Sequence, residues 1–174
     1  EFEINAMPRL ASHFFICKMK GNYNEILNRV KRYCKYQERC KSELENKLNR
    51  LEVSDKMKGL IIHELSEKEF FNNKRFSNEY AVGKFRNNNW GKVKIRYNLK
   101  FKSIEKNIID EALKKIPEDD YLSTFNKIAQ KHWIDSSQLD LIPRKRRFFR
   151  TFQSKGWEFD LINEFLSEII KNKI

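Results

Sequence analysis

A run of cations around two aromatic residues is the segment of this sequence best suited to chemistry with anions. It reads Arg144-Lys145-Arg146-Arg147-Phe148-Phe149-Arg150. Guanidinium groups bind phosphates and carboxylates through paired hydrogen bonds. We therefore predict that its five cations contact phosphates or an acidic partner. The alternative interpretation is that Phe148 belongs to the core and the cations form an ordinary solvated helix face.

A second set of cations follows helical spacing. Lys92, Arg96 and Lys100 recur every four residues, which places them in one stripe along a helix. The stripe is offset by one position from the apolar pair Ile95 and Leu99. It is a second candidate surface for a partner or for DNA, and a solvated face is again the alternative.

Motifs for catalysis or metal binding are missing from the sequence. It contains no phosphate-binding loop, no dinucleotide fingerprint and no zinc-protease motif. The histidines and cysteines lack zinc-site spacing and form no C-x-x-C motif; they are His13, His63, His132, Cys17, Cys34 and Cys40. We predict a protein that is not an enzyme, with no cofactor, no metal and no small-molecule substrate.

The charge of the chain favours a polyanionic partner. The 174 residues carry a formal net charge of +12, and such a field attracts nucleic acids, anionic lipids or acidic proteins. The sequence has no apolar stretch of the roughly 18 residues that a membrane span needs. We therefore expect no membrane association and, with so few cysteines, a cytoplasmic location.

A weak internal repeat indicates how these residues are positioned. Apolar residues recur at offsets of about 50 in three sets: Leu44, Leu48 and Val53; Ile95, Leu99 and Ile104; Phe148, Phe152 and Trp157. A second apolar pair follows each set: Ile61 and Leu65; Ile109 and Leu113; Ile162 and Leu166. Each pair spans one helical turn, which predicts a middle and a third helix in every repeat.

A further helix is predicted before each of these pairs. The three apolar stripes are Ile26, Leu27, Val30 and Cys34; Phe76, Tyr80, Ala81 and Phe85; Leu122, Phe125, Ala129 and either His132 or Trp133. With only 5 glycines and 3 prolines, the chain suits helices better than a β-rich fold. The fold predicted is all-α, with three tandem three-helix repeats in an elongated array.

Capping and turn residues indicate where the helices end. Ser42 with Glu45 resembles a capping box, and Ser54 and Ser103 are candidate caps of third helices. Gly91 and Gly156 fall between helices, where a positive φ costs glycine little. Asn87 to Asn89 and Asp135 to Pro143 are predicted loops, and Pro117 with the acids at 118–120 precedes a helix start.

Several short motifs resemble the RecX family of RecA modulators. Residues 70–76, Phe-Phe-Asn-Asn-Lys-Arg-Phe, are similar to the segment that closes the family's first repeat, with two asparagines in place of an acidic pair. Residues 90–99 follow the family's order of glycine, aliphatic residue and leucine. Residues 152–157, Phe-Gln-Ser-Lys-Gly-Trp, resemble its Lys-Gly-aromatic turn. The similarity extends over about residues 24 to 170.

The resemblance implies a curved array of three repeats, which we expect at residues 23–71, 72–116 and 117–174 after an extension at 1–22. It implies a non-enzymatic regulator of recombination, DNA repair and the SOS response. Such a regulator binds RecA, chiefly as the filament on single-stranded DNA, and inhibits its ATPase and recombinase activity. The alternative is a basic protein with helix-turn-helix-like repeats that binds DNA directly. A partner-independent, steep salt dependence would identify the alternative.

Overall fold

The computed structural model describes the backbone of residues 9–171 and the side chains of residues 23–171. Within that part of the chain the backbone forms nine helices and no strand. They are α1 (Arg9–Tyr36), α2 (Lys41–Asn49), α3 (Asp55–Glu67), α4 (Asn73–Asn88), α5 (Lys92–Phe101), α6 (Lys106–Leu113), α7 (Glu118–Asp135), α8 (Leu141–Lys155) and α9 (Phe159–Lys171). The predicted all-α class is confirmed.

The helices pack into two compact units. The first unit is Glu1–Asn72 and contains α1 to α3, whereas the second is Asn73–Ile174 and contains α4 to α9. The second and third predicted repeats therefore share one unit. The predicted repeat borders remain predictions, and α1 runs across the border placed between residues 22 and 23.

The apolar residues of the internal repeat form the cores of these units. All fifteen repeat positions are buried: Leu44, Leu48, Val53, Ile61, Leu65, Ile95, Leu99, Ile104, Ile109, Leu113, Phe148, Phe152, Trp157, Ile162 and Leu166. Burying a side chain of this size stabilises a fold by about 1.5–3 kcal/mol. The helical period of the sequence therefore identified the buried faces correctly.

The same turn closes the middle helix of every repeat. The N–H groups of Val53, Ile104 and Trp157 each donate to the carbonyl five residues earlier, at 3.3, 3.2 and 3.1 Å. The residue before each donor has a positive φ: 53° at Glu52, 57° at Ser103 and 78° at Gly156. This arrangement is a Schellman motif, which satisfies carbonyls left open at a helix end.

The predicted helix caps were largely wrong. α2 begins at Lys41 with Cys40 as its N-cap, so Ser42 already has helical backbone and cannot form the predicted capping box. Ser103 lies in the turn that ends α5, and the N-cap of α6 is Glu105 instead. Ser54 does occupy the N-cap position of α3, but its side chain makes no capping hydrogen bond there.

Both predicted loops are shorter than the sequence indicated. α4 continues through Asn88, and only Asn89 lies beyond it, with a φ of 52°. α8 begins at Leu141, so Pro143 falls in its first turn, where a missing N–H costs no helical hydrogen bond. The buried stripe of α7 includes Tyr121, whereas Leu122 is exposed, so the predicted stripe was wrong by one position at its start.

Hydrogen bonds join the start of α5 to the end of α8 within the second unit. We call this contact the joint. The N–H of Gly91 donates to the carbonyl of Lys155 at 2.9 Å, and the N–H of Val93 donates to the carbonyl of Gly156 at 3.1 Å. The hydroxyl of Tyr121 accepts from the N–H of Lys92 at 2.9 Å. The first N–H groups of a helix lack partners within it, so these three contacts complete the start of α5.

Candidate interface for an anionic partner

Arg144, the first cation of the Arg144–Arg150 cluster, lies in the interior and not on the surface. The side chain of Arg144 is buried, with 6% of its surface exposed. Its Nε donates to the carbonyl of Trp133 at 3.1 Å, its Nη2 donates to the same oxygen, and its guanidinium lies 4.1 Å from the centre of the Trp133 ring. The carbonyls at the end of α7 lack helical partners and attract positive charge. This burial corrects the grouping of Arg144 with the binding residues.

The other four cations of the cluster are available to a ligand. Arg146, Arg147 and Arg150 are exposed and Lys145 is half-buried. None of the residues that the structure describes forms an ion pair with these four. Four unneutralised charges within two turns of α8 repel one another, and an anion would relieve that repulsion.

Three of these cations border a groove between α8 and α9. Its lining consists of Lys145, Arg146, Phe149, Arg150, Gln153 and Leu166, and it measures about 400 Å³. The Phe149 ring is held edge-on against Phe159, with 5.5 Å between ring centres. A groove with cations at its border and apolar carbon inside can take a charged group together with an attached ring or aliphatic chain.

One titratable side chain lies directly behind this cluster. The His132 ring packs edge-on against Phe148 and Phe152, with both ring centres 5.6 Å away. Burial, and to a lesser extent the positive charge of Arg147, hold the pKa of His132 below its usual value of 6.5. The imidazole is therefore neutral at physiological pH and contributes no charge to the interface.

The three cations of the predicted stripe on α5 differ in their contacts. Lys92 pairs with Glu118 at 2.5 Å and lies 4.2 Å from the Tyr121 ring centre. Arg96 pairs with Asp110, and this pairing lowers the pKa of the Asp110 carboxyl. Lys100 is exposed and, among the described residues, has no ion-pair partner. The structure thus leaves Lys100 open, while both other cations hold neighbouring helices.

Sequence reasoning missed an apolar face on the same helix. Val93, Tyr97 and Phe101 are exposed on α5, at 53%, 69% and 82% of their surface. Their spacing of four residues was visible in the sequence. Two tryptophans of the second unit differ in exposure. Trp157 is buried, and Trp90 is half-buried, with Lys84 and Lys94 within 5.2 and 4.6 Å of its ring centre.

The same part of the chain offers neither a metal site nor a membrane span. Among the described residues, no group of three or more His, Cys, Asp or Glu side chains could hold a metal ion. No described helix combines the length and the apolar character required to cross a bilayer.

The fold defines a class: an all-α protein of three-helix repeats. Residues 72–113 match the family model described as RecX, second three-helix domain. The chain is 29% identical over 154 residues to the regulatory protein RecX of Clostridium acetobutylicum, covering 86% of this chain and 71% of that protein. It is 26% identical over 152 residues to the regulatory protein RecX of Bacillus subtilis. Together these findings show that the chain is similar to the RecX family, through residues 72–113 and over most of its length.

Solved structures show the same fold. A crystal structure of regulatory protein RecX superposes with a TM-score of 0.77 at 17% identity, over 95% of this chain and 81% of that one. RecX from Lactobacillus salivarius gives a TM-score of 0.72 at 23% identity, over 86% of this chain and 97% of that one. Similarity at this identity supports the fold alone.

The relatives differ in length from this chain. The match covers 87% of this chain but 56% of the Bacillus subtilis protein. It covers 83% of this chain and 55% of the regulatory protein RecX of Bacillus velezensis. The chain therefore spans little more than half the length of these Bacillus relatives.

Proposed function

We propose that this chain is a non-enzymatic regulator that binds RecA and its filament on single-stranded DNA and inhibits ATP hydrolysis and recombination. Similarity to RecX proteins, whose curated members are named regulatory proteins, supports a regulatory role. The observation that carries the proposed contact is a set of four cations on α8 that no described residue pairs with, Lys145, Arg146, Arg147 and Arg150. Lys100 on α5, and Arg96 once its exposed ion pair opens, extend the proposed surface.

The energetics favour α8 over α5 as the main anionic contact. Arg96 and Lys92 would have to leave Asp110 and Glu118 before they could bind a phosphate. Exposed ion pairs are worth only about 0–1 kcal/mol, so that exchange is possible but gains less than binding to a free cation. The four α8 cations need no such exchange, because no described residue neutralises them.

The experiment is a titration of RecA ATPase on single-stranded DNA with this protein, beside its binding to the same DNA alone. We expect inhibition at concentrations well below those that saturate the DNA. The quadruple variant Lys145→Ala, Arg146→Ala, Arg147→Ala and Arg150→Ala should bind the filament at least tenfold more weakly with unchanged helicity. Inhibition by that variant equal to the wild type would contradict the assignment of the contact to α8.

A matched control separates local contact from overall charge. Arg29→Ala, Arg32→Ala, Lys35→Ala and Arg50→Ala also remove three arginines and one lysine, all exposed or partly exposed and all in the first unit. This variant has the same net charge as the α8 variant. If both lose affinity equally, the contribution is that of the overall field and not of a defined site.

The same cations also suit the alternative function, direct binding to nucleic acid. In that case the affinity for DNA without RecA would fall steeply with salt. A plot of log binding constant against log salt concentration would have a slope of about −1 for each phosphate contacted. The concentration of this protein that half-saturates the DNA would also equal the concentration that half-inhibits RecA. Inhibition only on DNA already saturated with this protein would favour that alternative over regulation of the filament.

A further inference from the structure

An apolar face on α5 has no contact among the described residues that would account for it. Ile95 and Leu99 are fully buried on one side of this helix, while Val93, Tyr97 and Phe101 are exposed on the opposite side. The three exposed residues follow at intervals of four, so they form one line along about two turns of helix. Single exposed apolar residues are ordinary on protein surfaces, but aligned ones mark contact sites.

The segment that carries this line contains only basic charges, of which Lys92 and Arg96 are paired with Glu118 and Asp110 from other helices. From residue 80 to residue 104 the sequence contains no aspartate or glutamate and seven lysines and arginines: Lys84, Arg86, Lys92, Lys94, Arg96, Lys100 and Lys102. A surface that combines an apolar line with a basic border is complementary to an apolar groove with an acidic border. It is not complementary to a second copy of the same face, whose cations would repel it.

The contacts of α5 favour a protein over a nucleic acid at this face. Phosphate binding depends on free cations along the contact. Among the described residues, Lys92 and Arg96 on α5 are held by ion pairs and Lys94 by the Ser154 carbonyl, which leaves Lys100. Val93 also offers no ring on which a base could stack. Anchors at every fourth position are instead the pattern of a helix that lies in the groove of a protein.

We propose that α5 docks through Val93, Tyr97 and Phe101 into an apolar groove with an acidic border on the protein component of the filament. This inference rests on the proposed function and adds a second contact to it: the cations of α8 and Lys100 bind anionic groups, and the apolar line on α5 binds protein. Tyr97 and Phe101 are the main anchors, because large aromatic side chains contribute most of the energy at protein interfaces.

The test compares three double variants in co-sedimentation with RecA assembled on single-stranded DNA. Tyr97→Ser with Phe101→Ser removes the anchors. Tyr97→Leu with Phe101→Leu keeps apolar side chains but removes the rings. The control, Tyr36→Ser with Ile134→Ser, changes residues that are 86% and 67% exposed elsewhere. Binding of each variant to the DNA alone is measured in parallel by fluorescence anisotropy, and helicity by circular dichroism.

We expect the Ser variant to lose at least tenfold in affinity for the filament, since each anchor contributes more than about 1 kcal/mol and 1.4 kcal/mol is tenfold. The Leu variant should lose less than the Ser variant, the control should bind like the wild type, and DNA binding should not change. Retained filament binding by the Ser variant would overturn the α5 proposal and leave the proposed function intact.

Other results would reassign the face. Equal losses in the Ser and Leu variants, on DNA alone as well, would make it a stacking surface for nucleic acid and overturn the proposal. A wild-type dimer in sedimentation velocity that the Ser variant abolishes would make it a contact between two copies, which would overturn the proposal too. No filament binding by the wild type would overturn the proposed function and this inference with it.

Discussion

The backbones of Gly91 and Gly156 touch across the second unit. The position of Gly91 between helices had indicated a glycine in a left-handed turn. Its φ of −74° shows that this expectation was wrong. A Cβ at Gly91 would overlap with the carbonyl group of Gly156, and a Cβ at Gly156 would overlap with the Cβ and amide nitrogen of Lys94. Two glycines are needed because two chain segments approach without space for a side chain.

Replacing Gly91 should therefore destabilise the second unit. We expect Gly91→Ala to lower the free energy of unfolding by about 1–3 kcal/mol, the usual cost of forcing an extra methyl group into a filled space. The control is Gly83→Ala on α4, where a Cβ meets no atom within 4 Å. That change should stabilise by about 1 kcal/mol, because alanine favours a helix over glycine. Urea unfolding followed by circular dichroism measures both, and equal effects would argue against the joint.

Ser103 lies in one of the Schellman turns, and here we expect a change to glycine to stabilise the chain. This residue has a φ of 57°, a conformation that costs residues with a side chain about 1–2 kcal/mol. Ser103→Gly should therefore stabilise the chain by about 0.5–1 kcal/mol, after the greater flexibility of glycine in the unfolded state is subtracted. Thermal unfolding should show a higher midpoint. A lower midpoint would mean that Ser103 makes a contact worth more than the strain.

Replacing Arg144 should lower stability, whereas replacing Arg146 should weaken binding. Arg144→Ala removes charged hydrogen bonds to the Trp133 carbonyl and should cost about 2–3 kcal/mol of stability. Arg146→Ala removes an exposed side chain and should change stability by less than about 0.5 kcal/mol. Denaturant unfolding and filament binding, measured on both variants, check this division. A stable Arg144→Ala variant would contradict the structural role.

Stability should fall in mild acid because of His132. Its folded-state pKa is lowered, chiefly by burial, so the unfolded state binds the proton more tightly. The resulting stabilisation is complete above the unfolded value of about 6.5 and is lost as the pH falls from there towards the lower folded pKa. Unfolding free energies at pH 7.5 and 5.5 measure it. His132→Gln should have a smaller pH dependence, whereas His63→Gln, at an exposed site, should behave as the wild type.

The sequence predicted burial well because burial has a local signature. A four-residue spacing such as that of Leu44 and Leu48 states directly which helix face is apolar. The burial of Arg144 had no such signature, because its partner is a backbone carbonyl eleven residues earlier. The start of the α7 stripe was misplaced for a similar reason. Tyr121 can be buried only because its hydroxyl bonds to Lys92 and to Glu158, and sequence spacing does not reveal those partners.

The candidate surface remains a prediction. Lys100 and four of the five cations in the α8 cluster have no ion-pair partner among the described side chains, so they remain proposed contacts. The ion pairs of Lys92 and Arg96 depend on Glu118 and Asp110, which helix packing brings close and sequence spacing does not. The apolar face on α5 was missed although its period is as regular as that of the core, because the side of a helix opposite its buried face is normally polar.

The contacts that complete α5 also set an order for folding during synthesis. Tyr121, which accepts the first N–H of α5, lies 29 residues after Lys92, and Ser154, whose carbonyl holds the Lys94 side chain, lies 60 residues after that lysine. At about 5–20 residues per second, the ribosome needs about 3–12 seconds to make those 60 residues. Until the later residue has been made, the start of α5 lacks one of these contacts, so its attachment to α8 is completed late in synthesis.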